Sequence, residues 1–492
     1  MSSISANWFK DVLRIEKGDR LPTLLMFVWF LLAICAYYVI RPVRSTLVLF
    51  SLGPEFLPWV YMGTAFATGV AVWIFSKFSR APRRWLIGGT MVFLVLNLLF
   101  WWWAAGKAVD ARAAGNSSWN WTSPVFYVWA DVFSSMAVTV FWMFAADFFG
   151  HGSAKRTFGI LAAAGPAGGF AGAWLSETLA GPLGPVTLVL VAAAVFTLAF
   201  LFFVAVEIAA HGRSAHAPAP RPEGVRDSGT EGSDPGTEGS GLRPTEGSEP
   251  GTEAASAATK PAGYPEDRSG TSGGAGPDFR KARDVARALT SSRMLLFLTL
   301  VVCFERVTPD FVDWVFQSAG HAAISDPTRW TEFFAAFDKW RELLVLVATL
   351  FVTSPLLVLG GPTWALASVP VAIVLFGLGF AVWPLFFFAV ALKGTEEGQR
   401  HAWFKAGKEL VYTVTNRDVI YSVKGYIEVF LYRFSRGVAG LLLLLLTAVV
   451  GLGPQGVALA TVPLAAVWLW CIHRLGREYK AAEEREERQG VS

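Results

Sequence analysis

LPTLLMFVWFLLAICAYYVIRPVRSTLVLF, residues Leu21 to Phe50, is the stretch on which the fold turns. Its first twenty positions carry no charge, and about twenty apolar residues in a helix cross a hydrocarbon core of about 30 Å. Two arginines, Arg41 and Arg44, then interrupt the run before apolar residues resume as far as Phe50. A cation at membrane depth costs roughly 2.5–3.5 kcal/mol on insertion scales. The pair therefore either ends the span at the membrane surface or faces a polar interior. Pro42, between them, is where a bend is expected.

Outward from this stretch, similar runs recur. The first half gives spans at Leu21–Phe50, Pro54–Phe78, Trp85–Gly106, Pro124–Phe149, Phe158–Leu179 and Pro185–Ala209. The second gives Met294–Gln317, Phe333–Leu359, Trp364–Val382, Trp383–Phe404, Tyr426–Val450 and Gly456–Ile472. A mean hydropathy of +0.45 over the chain excludes an ordinary soluble enzyme. The sequence reads as an all-α polytopic membrane protein of twelve transmembrane helices. Membrane lipid is its surroundings, and aromatic clusters such as Phe100 to Trp103 suit interfacial belts.

Between the two sets of spans lies a stretch of Gly, Pro, Ser, Thr, Glu and Ala in which TEGS occurs three times. Almost free of large apolar residues, it cannot bury enough surface to fold. The chain thus divides into a cytoplasmic segment at 1–20, a six-helix half at 21–210, a disordered linker at 211–278, a second six-helix half at 279–473 and a charged tail at 474–492. The acidic residues of the first segment argue against a transit peptide, so the first helix is expected to remain as an anchor.

Loop charges test this count. With the N-terminus inside, the inner segments hold KFSRAPRR (77–84), Lys155 and Arg156, the linker, Arg417 with Lys424, and HRLGREYK (473–480). The outer loops hold only Lys107, Arg112 and Arg329, as the positive-inside rule requires. Arg41 and Arg44 break the rule if they sit in an outer loop, which argues that they lie inside the protein. Two six-helix halves joined by a cytoplasmic linker is the plan of major-facilitator-type carriers, whose halves rock about a site near the midplane. The expected location is a bacterial inner membrane, with both termini in the cytoplasm and the chain acting as a monomer.

Ionisable residues at membrane depth are the first place to look for function. Asp131 lies a third of the way into the fourth span, and Asp147 lies near its end, where a surface position competes. The seventh span carries Glu305, Arg306, Asp310 and Asp313 around Pro309, an expected interruption. Asp338 and Glu342 share one face of the eighth. In the tenth, Lys393, Glu397, Arg400, Phe404 and Lys408 keep a three-to-four spacing, one stripe on an otherwise apolar helix. That stripe either lines a watery pathway or belongs to a surface helix beginning near Lys393.

Other chemistry finds no support. Cys35, Cys303 and Cys471 stand apart in separate spans, and the histidines form no ligand cluster, so neither disulfides nor a metal site is expected. GPAGGFAGAW (165–174) lacks the Lys-Ser or Lys-Thr of a phosphate loop. Its glycine spacing suits close helix packing. The scattered basic residues give no nucleic-acid footprint. No catalytic residues and no cofactor are expected, so the chain reads as a non-enzyme.

Several stretches together resemble the nucleotide transporter family, the ATP/ADP exchangers of plastids and intracellular bacteria with their bacterial relatives. YYVIRPVRSTLVLFSLGPEFLPWVYMGTAF (37–66) is similar to the family's first-helix motif, with a basic residue at Arg44. FWMFAADFFGHGSAKRTFGILAAAGPAGG (141–169) resembles its fourth-to-fifth helix signature, and TRWTEFFAAFDKW (328–340) the start of its eighth helix. GKELVYTVTNRDVIYSVKGYIEVFLYRFSRG (407–437) resembles its most specific block, with Lys424, Arg433 and Arg436 at family positions and Glu428 in place of an Asp. Ser45, where the family has an acidic residue, and the long linker depart from the pattern. The resemblance implies counter-exchange of ATP for ADP, or related nucleotides, without hydrolysis.

On that resemblance the substrate-binding residues are Arg41, Arg44, Asp131, Glu305, Arg400, Lys424, Arg433 and Arg436, with Tyr37, Tyr38 or Trp129 stacking on a base. Arginine suits bidentate phosphate contact, and Asp131 and Glu305 can neutralise arginines in an empty site. Two alternatives stay open. One is a carrier of another anionic metabolite, proton-coupled through Asp131 or Glu305. The other is a non-transporting membrane scaffold whose linker and tail recruit partners.

Overall fold

The computed structural model describes residues 20–78, 82–149, 151–216, 292–413 and 431–490. Every regular element among them is helical. They are α1 (Arg20–Leu52), a 3-10 turn (Pro54–Phe56), α2 (Leu57–Lys77), α3 (Arg83–Ala113), α4 (Thr122–Phe148), α5 (His151–His216), α6 (Arg293–Ala323), α7 (Pro327–Phe351), α8 (Thr353–Val382), α9 (Phe386–Gln399), a π segment (Arg400–Phe404), α10 (Lys405–Thr413), α11 (Tyr432–Leu444) continued by a second π segment (Leu445–Val449), and α12 (Pro454–Gly490). Most of the expected linker falls outside the described residues.

The long α5 is two spans. Gly184, between Pro182 and Pro185, takes φ 75° and ψ 160°, a backbone state open to glycine at little cost. Phe30 lies against Gly165 and Trp29 against Phe203, so the legs before and after Gly184 stand side by side. A π-helical segment (Arg400–Phe404) joins α9 and α10 into one span. With α5 counted twice and α9–α10 once, twelve legs cross the membrane, the expected architecture.

Seven of the described helices are long and apolar enough to cross by length and composition alone. The other legs include α6, α7 and α9–α10, which carry the charges that face inward. Two hydrophobic clusters form the cores. One joins α1, α3, α4 and α5 around Trp29, Phe133, Phe141 and Phe196. The other joins α6 to α12 around Phe316, Trp330 and Trp468 and takes in the end of α1 and the start of α2. Gly168 and Gly172 bring α5 onto α1: an added Cβ at Gly172 would lie 2.2 Å from the Cys35 carbonyl oxygen. Small residues at membrane interfaces permit such backbone approach.

Two expectations about local structure are corrected. Pro309 does not interrupt its helix, since α6 runs through it, as α1 runs through Pro42. Neighbouring groups and small adjustments accommodate proline in membrane helices. The eighth span begins at Pro327 rather than Phe333, because Asp326 caps it by accepting from the Arg329 amide at 2.7 Å. Its polar first turns hid this start from a hydropathy reading.

Candidate functional site

Arg41 and Arg44 are only 9% and 7% exposed, which rules out the surface-cap reading. Both line a central cavity of about 240 Å³ between the halves. The wall draws on α1, α2, α4, α6, α7, α9 and α11, with Arg400 and His401 from the π segment. It presents the cations Arg41, Arg44, Arg306, Lys393, Arg400 and Arg436 and the carboxylates Asp131, Asp310, Asp313 and Glu397. Tyr37, Tyr38, Tyr61, Tyr127 and Phe334 supply aromatic surface.

One charge cluster centres on Asp131. Its Oδ1 accepts from Arg44 Nη1 and its Oδ2 from Arg436 Nη2 at 3.0 Å. Asp310 Oδ1 lies 3.7 Å from Arg436 Nε, and the Arg44 guanidinium sits 4.3 Å from the centre of the Tyr127 ring. Arg44 Nε and Arg436 Nε are buried and have no hydrogen-bond acceptor among the described residues.

A second cluster centres on Arg41. Its Nη1 donates to Asp338 Oδ1 at 3.0 Å, and its Nη2 to Glu397 Oε1 and Oε2 at 2.9 and 3.1 Å. Arg341 meets the same two carboxylates and donates to Glu342 Oε1 at 2.8 Å. The Tyr38 hydroxyl also donates to Glu342, at 2.6 Å. Lys393 pairs with Asp313 at 2.7 Å and Glu397 at 2.9 Å, and Tyr61 donates to Asp313 at 2.5 Å. Arg400 pairs with Glu396 at 2.8 Å. Counting Arg341, Asp338, Glu342 and Glu396 behind the wall, the described residues give seven cations and seven carboxylates around the cavity. Taking charges out of water is costly, and mutual pairing offsets that cost.

Toward the helix ends opposite the linker, the two halves meet in neutral contacts. Thr46 and Thr331 hydroxyls lie 2.7 Å apart, Gln317 Nε2 donates to Ser45 Oγ at 3.1 Å, and Trp314 Nε1 donates to the Pro54 carbonyl at 2.9 Å.

Of the residues singled out in the sequence, Arg41, Arg44, Asp131, Arg400, Arg436, Tyr37 and Tyr38 meet at the cavity. Glu305 does not line it: its carboxylate accepts from Lys408 at 2.8 Å. One extra residue in the π segment rotates the remainder of its own helix by about 100°, so Lys408 leaves the stripe of Lys393, Glu397 and Arg400 and meets Glu305. Trp129 is also off the wall, stacked among Trp101, Phe126 and Phe133. Lys424 and the Arg433 side chain lie outside the described residues. Asp147 is exposed, matching the surface alternative. Sequence reading passed over Arg341, although it stands three positions after Asp338 on the same helix face, and over Tyr61, Tyr127, Gln317 and His401.

Two six-helix halves around a charged central cavity define an integral membrane protein with the major-facilitator fold. Solved structures agree. A mutant form of the nucleoside transporter NupG aligns over 92% of this chain and 99% of its own, with TM-score 0.61 and 12% identity. A bacterial homologue of the iron transporter ferroportin, inward-facing, aligns over 94% and 98%, with TM-score 0.56 and 12% identity. The POT family transporter PepTSo aligns over 94% and 98%, with TM-score 0.53 and 12% identity. At such identity the likeness is one of fold. No family model matches the chain, and no curated protein matches it.

Proposed function

We propose that this chain is a secondary transporter that exchanges nucleotides, ATP for ADP or a related pair, by alternating access. The observation that carries the reading is the sharing of Asp131 by Arg44 from one half and Arg436 from the other. A phosphate group that takes over both guanidiniums replaces a carboxylate as the link between the halves. Arg44 Nε and Arg436 Nε, both without an acceptor among the described residues, are further donors to it, and Arg41 and Arg400 extend the cationic wall. Tyr37 and Tyr38 on the same wall offer a face for a base. The sequence resemblance puts Arg44 and Arg436 in the family's binding set, and one fold neighbour is a nucleoside transporter.

The cavity volume supports a second reading. At about 240 Å³ it falls below the roughly 300–1,000 Å³ of pockets for drug-sized ligands. A smaller anionic metabolite fits without widening, and Asp131, rather than Glu305, is the cavity carboxylate through which protons would be coupled to it.

The test is uptake of labelled ATP into proteoliposomes loaded with ADP. Exchange that is lost in Arg44→Ala and in Arg436→Ala supports the first reading. Flux of a smaller anion without nucleotide flux supports the second. Absence of any solute flux removes both and leaves the scaffold.

A further inference from the structure

α6 and α12 pack together as antiparallel legs. Near the membrane face from which the linker enters α6 they meet ring to ring. Phe297 and Trp470 lie edge to face with 5.7 Å between centroids. One turn beyond that pair each helix carries an exposed arginine, Arg293 on α6 and Arg474 on α12. Residues four apart share a helix face, about 6 Å apart along the axis, so the two arginines flank one seam at one depth. The Arg474 guanidinium sits 5.5 Å from the centre of the Trp470 ring. Arg477 and Lys480, both exposed, continue the α12 side farther out. No ion pair or side-chain hydrogen bond engages these four cations among the described residues, not even with Glu478, four positions after Arg474. On the bilayer side of the arginines the surface is apolar, with Leu296, Val467 and Trp470 exposed.

We propose that this seam binds one diphosphatidylglycerol, a phospholipid with two phosphates in a single headgroup. One phosphate takes Arg293 and the other Arg474, each through paired N–H donors. The Trp470 ring covers one face of the Arg474 guanidinium and leaves the N–H edge to the phosphate. Arg477 and Lys480 add positive charge around the headgroup, as basic surfaces between membrane helices do where they hold anionic lipid. The acyl chains lie on Leu296, Val467 and Trp470. Two cations on two helices match two phosphates in charge and in spacing along the seam. A phosphatidylglycerol brings one phosphate to the two arginines, and the choline of a phosphatidylcholine cancels the charge of its phosphate. The site is independent of the central cavity and of whatever that cavity carries.

The experiment is native mass spectrometry of the purified full chain with equimolar diphosphatidylglycerol, phosphatidylglycerol and phosphatidylcholine. The expected result is retention of diphosphatidylglycerol about fivefold over phosphatidylglycerol, the ratio that one further contact between cation and phosphate provides. Arg293→Gln and Arg474→Gln each remove that preference without changing the melting temperature in detergent. Arg84→Gln, which removes an exposed cation of α3 at the same membrane face, leaves it intact. Equal retention of the two anionic lipids by the unaltered chain overturns the proposal, as does a preference that survives either substitution in the seam. A loss in Arg84→Gln as large as in Arg474→Gln also overturns it, because the positive charge of that face as a whole, and not the seam, would then draw the lipid.

Discussion

Arg436 of the second half donates to Asp131 of the first at 3.0 Å, while Asp131 also holds Arg44. One carboxylate therefore neutralises two guanidiniums from opposite halves. Asp131→Asn leaves Arg44 buried without its counter-ion and Arg436 with only the more distant Asp310, and breaking a buried pair costs about 3–5 kcal/mol. We expect a lower melting temperature in detergent. We also expect added nucleotide or inorganic phosphate to raise it more in the variant than in the unaltered chain, because an anion refills the vacated role. An equal response in both would remove Asp131 as the group that substrate displaces.

Arg41 spans Asp338 and Glu397 with separate nitrogens. A lysine has one compact ammonium and cannot reproduce that fork. Arg41→Lys is expected to lose stability, and Arg41→Ala to lose more. In a double-mutant cycle with Asp338→Ala, a coupling of about 0.5–3 kcal/mol is expected for groups in one network. Additive losses would show that the pair does not act together.

Thr46 and Thr331 meet hydroxyl to hydroxyl at 2.7 Å across the two halves. The pair Thr46→Cys with Thr331→Cys is expected to crosslink under oxidation and to halt transport. Reduction should restore it. Full transport by the crosslinked protein would mean that this contact does not open during the cycle.

Gly172 packs its α-carbon onto the backbone of Cys35. Gly172→Ala forces α1 and α5 apart, and overpacking costs about 1–3 kcal/mol. Gly159, whose added Cβ would meet nothing within 4 Å, is the control: Gly159→Ala should gain about 0.5–1 kcal/mol from helix propensity. Thermal melting of the two variants separates packing from backbone effects.

Hydrophobic runs and loop charges were enough to find the twelve spans, because the bilayer constrains length and orientation locally. The buried position of Arg41 and Arg44 was legible for the same reason: two cations in an outer loop violate the charge rule. Glu305 and Trp129 show where the reading stops. Their spacing along the chain is correct for an inward face, but only the rotation of each helix decides between cavity, ion pair and aromatic stack. The π segment after Gln399 is a further hidden offset, since nothing in RHAWF (400–404) announces an extra residue in the turn. Arg341, by contrast, was open to detection, being three residues from an acidic partner on the same face.

The equal number of cations and carboxylates around the cavity among the described residues has an electrical consequence. Under the proposed alternating access, the fourteen groups counted, when ionised, contribute no net charge to an empty site. A membrane potential of 100 mV acts on each elementary charge with about 2.3 kcal/mol. Under the proposed exchange of a triphosphate for a diphosphate, which differ by one charge, the potential therefore acts on the cargo. Substrates of equal charge would trade places without feeling the membrane potential.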